Sequence, residues 1–186
     1  VMQDAALFYG SISETKSNII EKLKLDQTFV LATIHRQENT ENPKVLTEII
    51  EALNQINREQ KVIVPLHPRT SKLLGDISTK PQFTIIPPVG YFDMVELLKH
   101  CSIVLTDSGG VQKEAFFFKK CCVTIRHETE WTELVQHGFN MLGSSDAEFI
   151  LIAYREMITR RPDFSIDLYG NGKASEKIAE ILKDWK

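Results

Sequence analysis

Five short apolar runs recur along the chain, at residues 29–34, 61–66, 83–86, 103–106 and 121–125, each rich in Val, Ile, Thr or Phe and nearly free of charge. An apolar–polar alternation would mark strands with one wet face. Continuous runs instead suit strands buried on both faces, as in a parallel sheet. The segments between them have helical spacing. Asn42-Pro43 opens one, with Asn as cap and Pro at the first helical position. Val45, Leu46, Ile49, Ile50, Leu53 and Ile56 then form an apolar stripe at the helical period. The pattern predicts further helices over 14–25, 91–100, 110–119, 130–137, 146–160 and 173–185. Strands alternating with helices at this spacing build right-handed βαβ units. The expected class is α/β: a Rossmann-like parallel sheet with helices on both faces. We find no repeat, low-complexity stretch or linker, so residues 1–186 read as one domain.

Bulk properties remove several functions. A net charge of -3 lacks the Lys and Arg surplus that phosphate-backbone contacts demand, so no nucleic-acid partner is expected. No apolar stretch approaches the roughly 20 residues of a membrane span. The opening Val1-Met-Gln-Asp has neither the basic flank nor the apolar core of a signal peptide, and reads as the start of an excised domain. The three cysteines, Cys101, Cys121 and Cys122, lie in or beside apolar runs and form no disulfide framework, which suits core packing in a reducing cytoplasm. The five histidines fall in no metal-ligand spacing, so neither metal nor cofactor is expected.

Ligands of open α/β sheets bind beyond the carboxyl ends of the strands, which singles out three post-strand segments. The first groups His35, Arg36, Glu38 and Asn39, where cation and imidazole suit a diphosphate but a solvated loop fits equally well. The second places His67 between Leu66 and Pro68, where a structural histidine is the commoner outcome. The third runs from a strand through Asp107-Ser108-Gly109-Gly110 into a helix. Glycines there admit close backbone approach, and unpaired N–H groups of a first helical turn favour a phosphate, with the Ser108 hydroxyl adding one bond. Glu114, a turn further on, could accept from a ribose diol. A tight turn with Ser108 as helix cap and Glu114 in solvent fits the same spacing. Asp-Ser-Gly-Gly also occurs around the nucleophile of chymotrypsin-like proteases, but those are all-β, and the G-x-S-x-G elbow of α/β-hydrolases is absent.

Taken in order, the segments resemble the non-hydrolysing UDP-N-acetylglucosamine 2-epimerase family. The stretches that carry this are His35-Arg36-x-Glu38-Asn39, Pro65-Leu66-His67-Pro68, Pro88-Val89-Gly90-Tyr91, residues 105–115, Thr129-Glu130-Trp131-x-Glu133-Leu134-Val135 and Tyr169-Gly170-x-Gly172-x-Ala174. They cover nearly the whole chain. The resemblance implies the C-terminal lobe of a GT-B-like enzyme, without its N-terminal lobe, holding a UDP-sugar in the cleft between the two. It implies C2 inversion of UDP-N-acetylglucosamine through elimination and re-addition of UDP. Carried over by position, Ser108, Gly109 and Gly110 would hold phosphates and Glu114 the ribose. His35 and Arg36 would face the diphosphate, Glu38 and His67 would line the cleft, and 89–94 would border the uracil. His35 is the one catalytic candidate here, because the family's acid–base carboxylates come from the other lobe. The isolated chain is therefore expected to be inactive, and the full-length enzyme a cytoplasmic homodimer. Trp131 stands where many members have Arg, and with Gln112–Phe116 looks more like the branch acting on UDP-2,3-diacetamido-glucuronic acid. A GT-B glycosyltransferase donor lobe, or a noncatalytic nucleotide-binding module, are the other readings. The transferases do not usually carry the His35-Arg36-x-Glu38-Asn39 segment in this form. In the epimerase family Phe118-Lys119-Lys120-Cys121 is commonly a Gly-Lys-Pro turn.

Overall fold

The computed structural model describes residues 1–25, 27–75 and 77–185. Six strands, β1 (Val30–Thr33), β2 (Val62–Pro65), β3 (Thr84–Ile86), β4 (Ile103–Thr106), β5 (Cys122–Thr124) and β6 (Asn140–Leu142), form one sheet in the order β3-β2-β1-β4-β5-β6. Every pairing is parallel. Among the described residues the helices are α1 (Met2–Lys16), α2 (Ile19–Lys22), α3 (Gln37–Thr40), α4 (Pro43–Glu59), α5 (Pro68–Leu73), α6 (Tyr91–His100), α7 (Gly109–Phe117), α8 (Thr132–Gln136), α9 (Ala147–Thr159) and α10 (Ala174–Asp184).

Alternate residues of the central strands feed two cores. Val30, Ala32, Val62, Val64, Ile103, Leu105 and Val123 face α4 and α9, whose Ile49, Leu53, Ile150 and Met157 join the same cluster. Phe29, Leu31, Ile63, Val104 and Cys122 face the other way, against Leu97 and Leu98 of α6 and Ala115 of α7. Burial on both faces is why these strands read as unbroken apolar runs. The stripe of α4 is almost completely enclosed, and the Asn42 side chain accepts from the Lys44 N–H at its start. All three cysteines are free and buried, as core packing requires.

Two expectations need correction. The helix placed over 14–25 does not exist as such: α1 ends at Lys16, and Ser17 turns the chain before α2. The Ser17 hydroxyl donates to Asp93 (2.6 Å) and accepts from the Ile19 N–H, fixing that corner. Helix α1 escaped notice because its buried residues are the small Ala6, Gly10 and Ser13, while Leu7 and Phe8 are exposed, so it has no apolar stripe. The sheet also has a sixth strand, β6, only three residues long and begun by a polar asparagine. The short helices α3 and α5, a turn or so each, add to the expected set. Among the described residues no helix is long and apolar enough to cross a membrane.

Candidate nucleotide site at the switch point

The chain lays β2 and β3 outward on one side of β1, then returns to place β4 on the other side. The carboxyl ends of β1 and β4 therefore flank the topological switch point, where open α/β sheets bind ligands. The segments 35–39 and 107–110 leave the sheet at this point.

Asp107 ties the two together. It follows β4 directly, its side chain is fully enclosed, and its carboxylate meets four donors. The backbone N–H groups of His35 and Arg36 donate at 3.0 Å each, Asn39 Nδ2 at 3.2 Å, and His35 Nδ1 stands at 2.8 Å. An ionised carboxylate can only accept, so Nδ1 carries the proton and Nε2 is the nitrogen left for a ligand. The bond to Asp107 raises the His35 pKa, against opposition from partial burial and the Arg36 charge. Burial works to raise the Asp107 pKa, but the His35 ring and the backbone donors outweigh it and hold the carboxyl below the usual range. The result is an imidazole biased toward its cationic form, half exposed at the mouth of the crevice.

Asn39 extends this lock. Its Nδ2 also donates to the Ile125 carbonyl (3.0 Å), and its Oδ1 accepts from Ser145 (2.8 Å). Next to it lies a cleft of about 290 Å³ whose walls include Arg36, Glu38, Arg126 and Ser145. Arg126 is buried and charge-paired, 2.7 Å from Glu130 and 4.0 Å from Glu38, while Arg36 lies 3.8 Å from Glu38.

Across the crevice, α7 begins at Gly109 with Ser108 as cap; the Ser108 hydroxyl accepts from the Val111 N–H at 3.4 Å. Neither Gly109 nor Gly110 has a positive φ, so a turn does not explain the glycines. Space explains Gly109: an added Cβ would overlap the Glu130 carboxylate and touch Trp131. The Trp131 indole N–H donates to the Gly109 carbonyl (2.8 Å), and Lys113 Nζ sits 3.6 Å from the indole ring centroid. A Cβ on Gly110 would meet nothing closer than 3.8 Å, so its exposed backbone is open to approach. Glu114 is half-buried and faces the Tyr91 phenol at the start of α6. Burial lifts the Glu114 carboxyl above its ordinary range, and burial with the neighbouring Glu114 charge pushes Tyr91 up to about 12.

The structure thus brings His35, Arg36 and Glu38, which follow β1, and Ser108, Gly109 and Gly110, which follow β4, to the carboxyl ends of two neighbouring strands, with Glu114 a turn along α7. His67 lies at the end of β2, the strand next to β1, where it caps α5 by accepting from the Arg69 N–H at 3.2 Å. Arg126 falls in none of the sequence motifs, whereas Asp107, Tyr91 and Asn39 are seen there only as members of a motif, with no role of their own. An acid placed immediately after a central buried strand was the available signal for Asp107. No group of three or more metal-ligating side chains occurs among the described residues.

A parallel sheet of order 3-2-1-4-5-6 with a glycine-started helix at its switch point defines a Rossmann-like α/β lobe. The sequence profile of the family described as UDP-N-acetylglucosamine 2-epimerase matches residues 1–183, and the chain belongs to that family. It is 45% identical over 183 residues to the UDP-2,3-diacetamido-2,3-dideoxy-D-glucuronate 2-epimerase of Pseudomonas aeruginosa, an alignment covering 98% of this chain and 51% of the relative. The structure of UDP-GlcNAc 2-epimerase from Methanocaldococcus jannaschii superposes with a TM-score of 0.87 at 34% identity, covering 97% of this chain and 53% of that one. The same enzyme in complex with UDP-GlcNAc and UDP gives 0.81 at 32% identity, covering 98% and 52%. The chain therefore spans about half the length of the relatives it matches.

Proposed function

We propose that this chain is the UDP-binding C-terminal half of a UDP-sugar 2-epimerase, which inverts C2 of a 2-acetamido sugar by eliminating UDP and adding it back. The observation that carries the reading is the Asp107–His35 pair, set against the open start of α7 at the switch point. UDP leaves as a diphosphate, so negative charge grows on its oxygens as the C1–O bond breaks. The first-turn N–H groups of α7, the Ser108 hydroxyl, Arg36 and a protonated His35 face that charge and stabilise it as it develops. When UDP adds back, the same donors hold it in place. Glu114, with Tyr91 beside it, accepts from the ribose diol, and the 89–94 segment borders the uracil. Glu38 and His67 line the cleft. A general base for the C2 proton is supplied by the other half of the enzyme.

The same reading accounts for α10. Its Ile178, Ile181 and Leu182, followed by Trp185, form an exposed apolar strip at helical spacing, and no residue of α10 is buried. Such a strip calls for a partner, and the N-terminal lobe found in the relatives is the one we assign. The full-length enzyme is placed in the cytoplasm as a homodimer. For the sugar, two features favour a 2,3-diacetamido uronate over N-acetylglucosamine: 45% identity to the Pseudomonas enzyme, and Trp131, bonded to Gly109, in the motif that resembles that branch.

Calorimetric titration of the chain with UDP, with AMP as control, tests the binding half of this reading. Binding of UDP alone is the expected result. Failure of UDP to bind both the chain and the full-length protein would overturn the site. Ser108→Ala or Glu114→Ala should each weaken UDP by about 1–3 kcal/mol, the value of a hydrogen bond to a charged or polar partner.

A further inference from the structure

The end of the sheet opposite the crevice carries a second concave surface. A groove of about 670 Å³ is walled by residues that precede strands, including Thr28, Gln60, Ser102 and Lys120. Five basic side chains line it, His100, Lys119, Lys120, Arg160 and Arg161, and no Asp or Glu does. Its floor is apolar, from Met157, Ile158 and Phe164. Helices α6, α7 and α9 all end here, and a cation at a helix C-terminus ordinarily complements the helix dipole. Arg161 is used in that way, its Nη1 donating to the carbonyls of Ile158 (3.0 Å) and Arg160 (2.7 Å). Arg160 keeps one contact with Glu156 at 3.3 Å. Among the described residues, Lys119, Lys120 and Arg161 pair with no carboxylate, so the groove holds more positive charge than the helix ends require.

Two backbone features keep the cations in place. Lys119 sits at φ 58, the left-handed position that closes α7: its N–H donates to the Phe116 carbonyl (3.0 Å) and that of Lys120 to the Ala115 carbonyl (2.8 Å), which fixes where both side chains leave the helix end. At Gly138, itself at φ 75, a Cβ would come within 3.1 Å of the Arg160 guanidinium, so the missing side chain makes its seat.

We propose that this groove binds a small molecule carrying two or more phosphate groups. Its volume lies in the range of small-ligand clefts. Its concavity, with two arginines tied down at one wall, suits a compact anion better than a flat membrane surface. The inference is independent of the UDP site.

The test is a ¹⁵N-resolved NMR titration of the chain with inorganic tripolyphosphate, in the presence of excess UDP. The expected result is movement of the amides at 119–121 and 160–161, with affinity falling as salt rises. Lys119→Gly should fold at least as well as the parent, because glycine suits that φ, yet bind about tenfold more weakly for one lost charge-assisted contact. Lys120→Glu should weaken binding further. Shifts confined to 108–110, or unchanged affinity in Lys119→Gly, would overturn the proposal. So would co-sedimentation with phosphatidylglycerol vesicles combined with no response to tripolyphosphate.

Discussion

Replacing Asp107 by Asn changes one atom and removes the charge, so its effect can be worked out donor by donor. The carboxylate offers two acceptor oxygens to four donors. The carboxamide offers one acceptor, and its new N–H₂ points where donors already stand. Asn39 can fall back on the Ile125 carbonyl, and the half-exposed His35 ring can turn to water. That leaves one backbone N–H, of His35 or Arg36, without an acceptor at a buried position, a loss of about 1–3 kcal/mol. The surviving bond also loses its charge assistance, about 1 kcal/mol more. Asp107→Asn should therefore destabilise the chain by about 2–4 kcal/mol.

The pH dependence of that loss separates this account from a packing defect. Asp107 titrates below its unfolded value, so its contribution is complete above about pH 4 and disappears as pH falls through the lowered pKa. His35 titrates above its unfolded value of 6.5, so its contribution is complete below that pH and fades as pH rises through the raised pKa. Both are present near pH 5.5, and at pH 8.5 the charged pair has weakened. Urea denaturation of parent and variant should thus show a larger difference at pH 5.5 than at 8.5. The ring resonances of His35 should titrate in the variant at a lower pH than in the parent. A His35 titration that does not move, or an equal loss at both pH values, would refute the pairing.

Four further outcomes follow from the geometry. Asn39→Ala should cost about 2–4 kcal/mol in denaturant melts, because the residue is buried and its side chain serves Asp107, Ile125 and Ser145 at once. Gly109→Ala should force Glu130 aside and loosen its pair with Arg126, weakening UDP at least about tenfold by calorimetry while shifting stability little, since the displaced group is a side-chain end. UDP affinity in the parent should fall as pH rises through the raised pKa of His35, because the neutral ring no longer attracts the diphosphate; a flat profile from pH 6 to 9 would remove His35 from the site. Ile181→Ser should leave the melt of this chain within about 0.5 kcal/mol, the residue being 64% exposed, but should weaken its association with the N-terminal half in a sedimentation assay.

The parts of this fold legible in the sequence are those where one physical demand dominates. Burial on both faces turns β1, β2 and β4 into apolar runs, and the enclosed stripe of α4 together with the Asn42 cap marks a helix unambiguously. Helix α1 obeys a different demand. It meets α6 through Ser13, which bonds Glu96 at 2.5 Å, and packs Gly10 against Phe118 at the end of α7, so small size takes the place of hydrophobicity and the periodicity vanishes. The candidate site divides along the same line. Glycine and serine before a helix are visible as a motif, but their neighbours across the crevice come from segments some 70 residues away. Only the parallel register of β1 on β4, which sets Thr33 opposite Thr106, brings His35 onto Asp107. Ser108 shows why a motif alone leaves two uses open. It does cap α7, yet at 3.4 Å the bond to Val111 is long, and a hydroxyl retains acceptor and donor capacity beyond it. Capping and phosphate binding are then compatible demands on one residue: both are met at the same unpaired first turn, and the cap holds the hydroxyl where an anion would arrive.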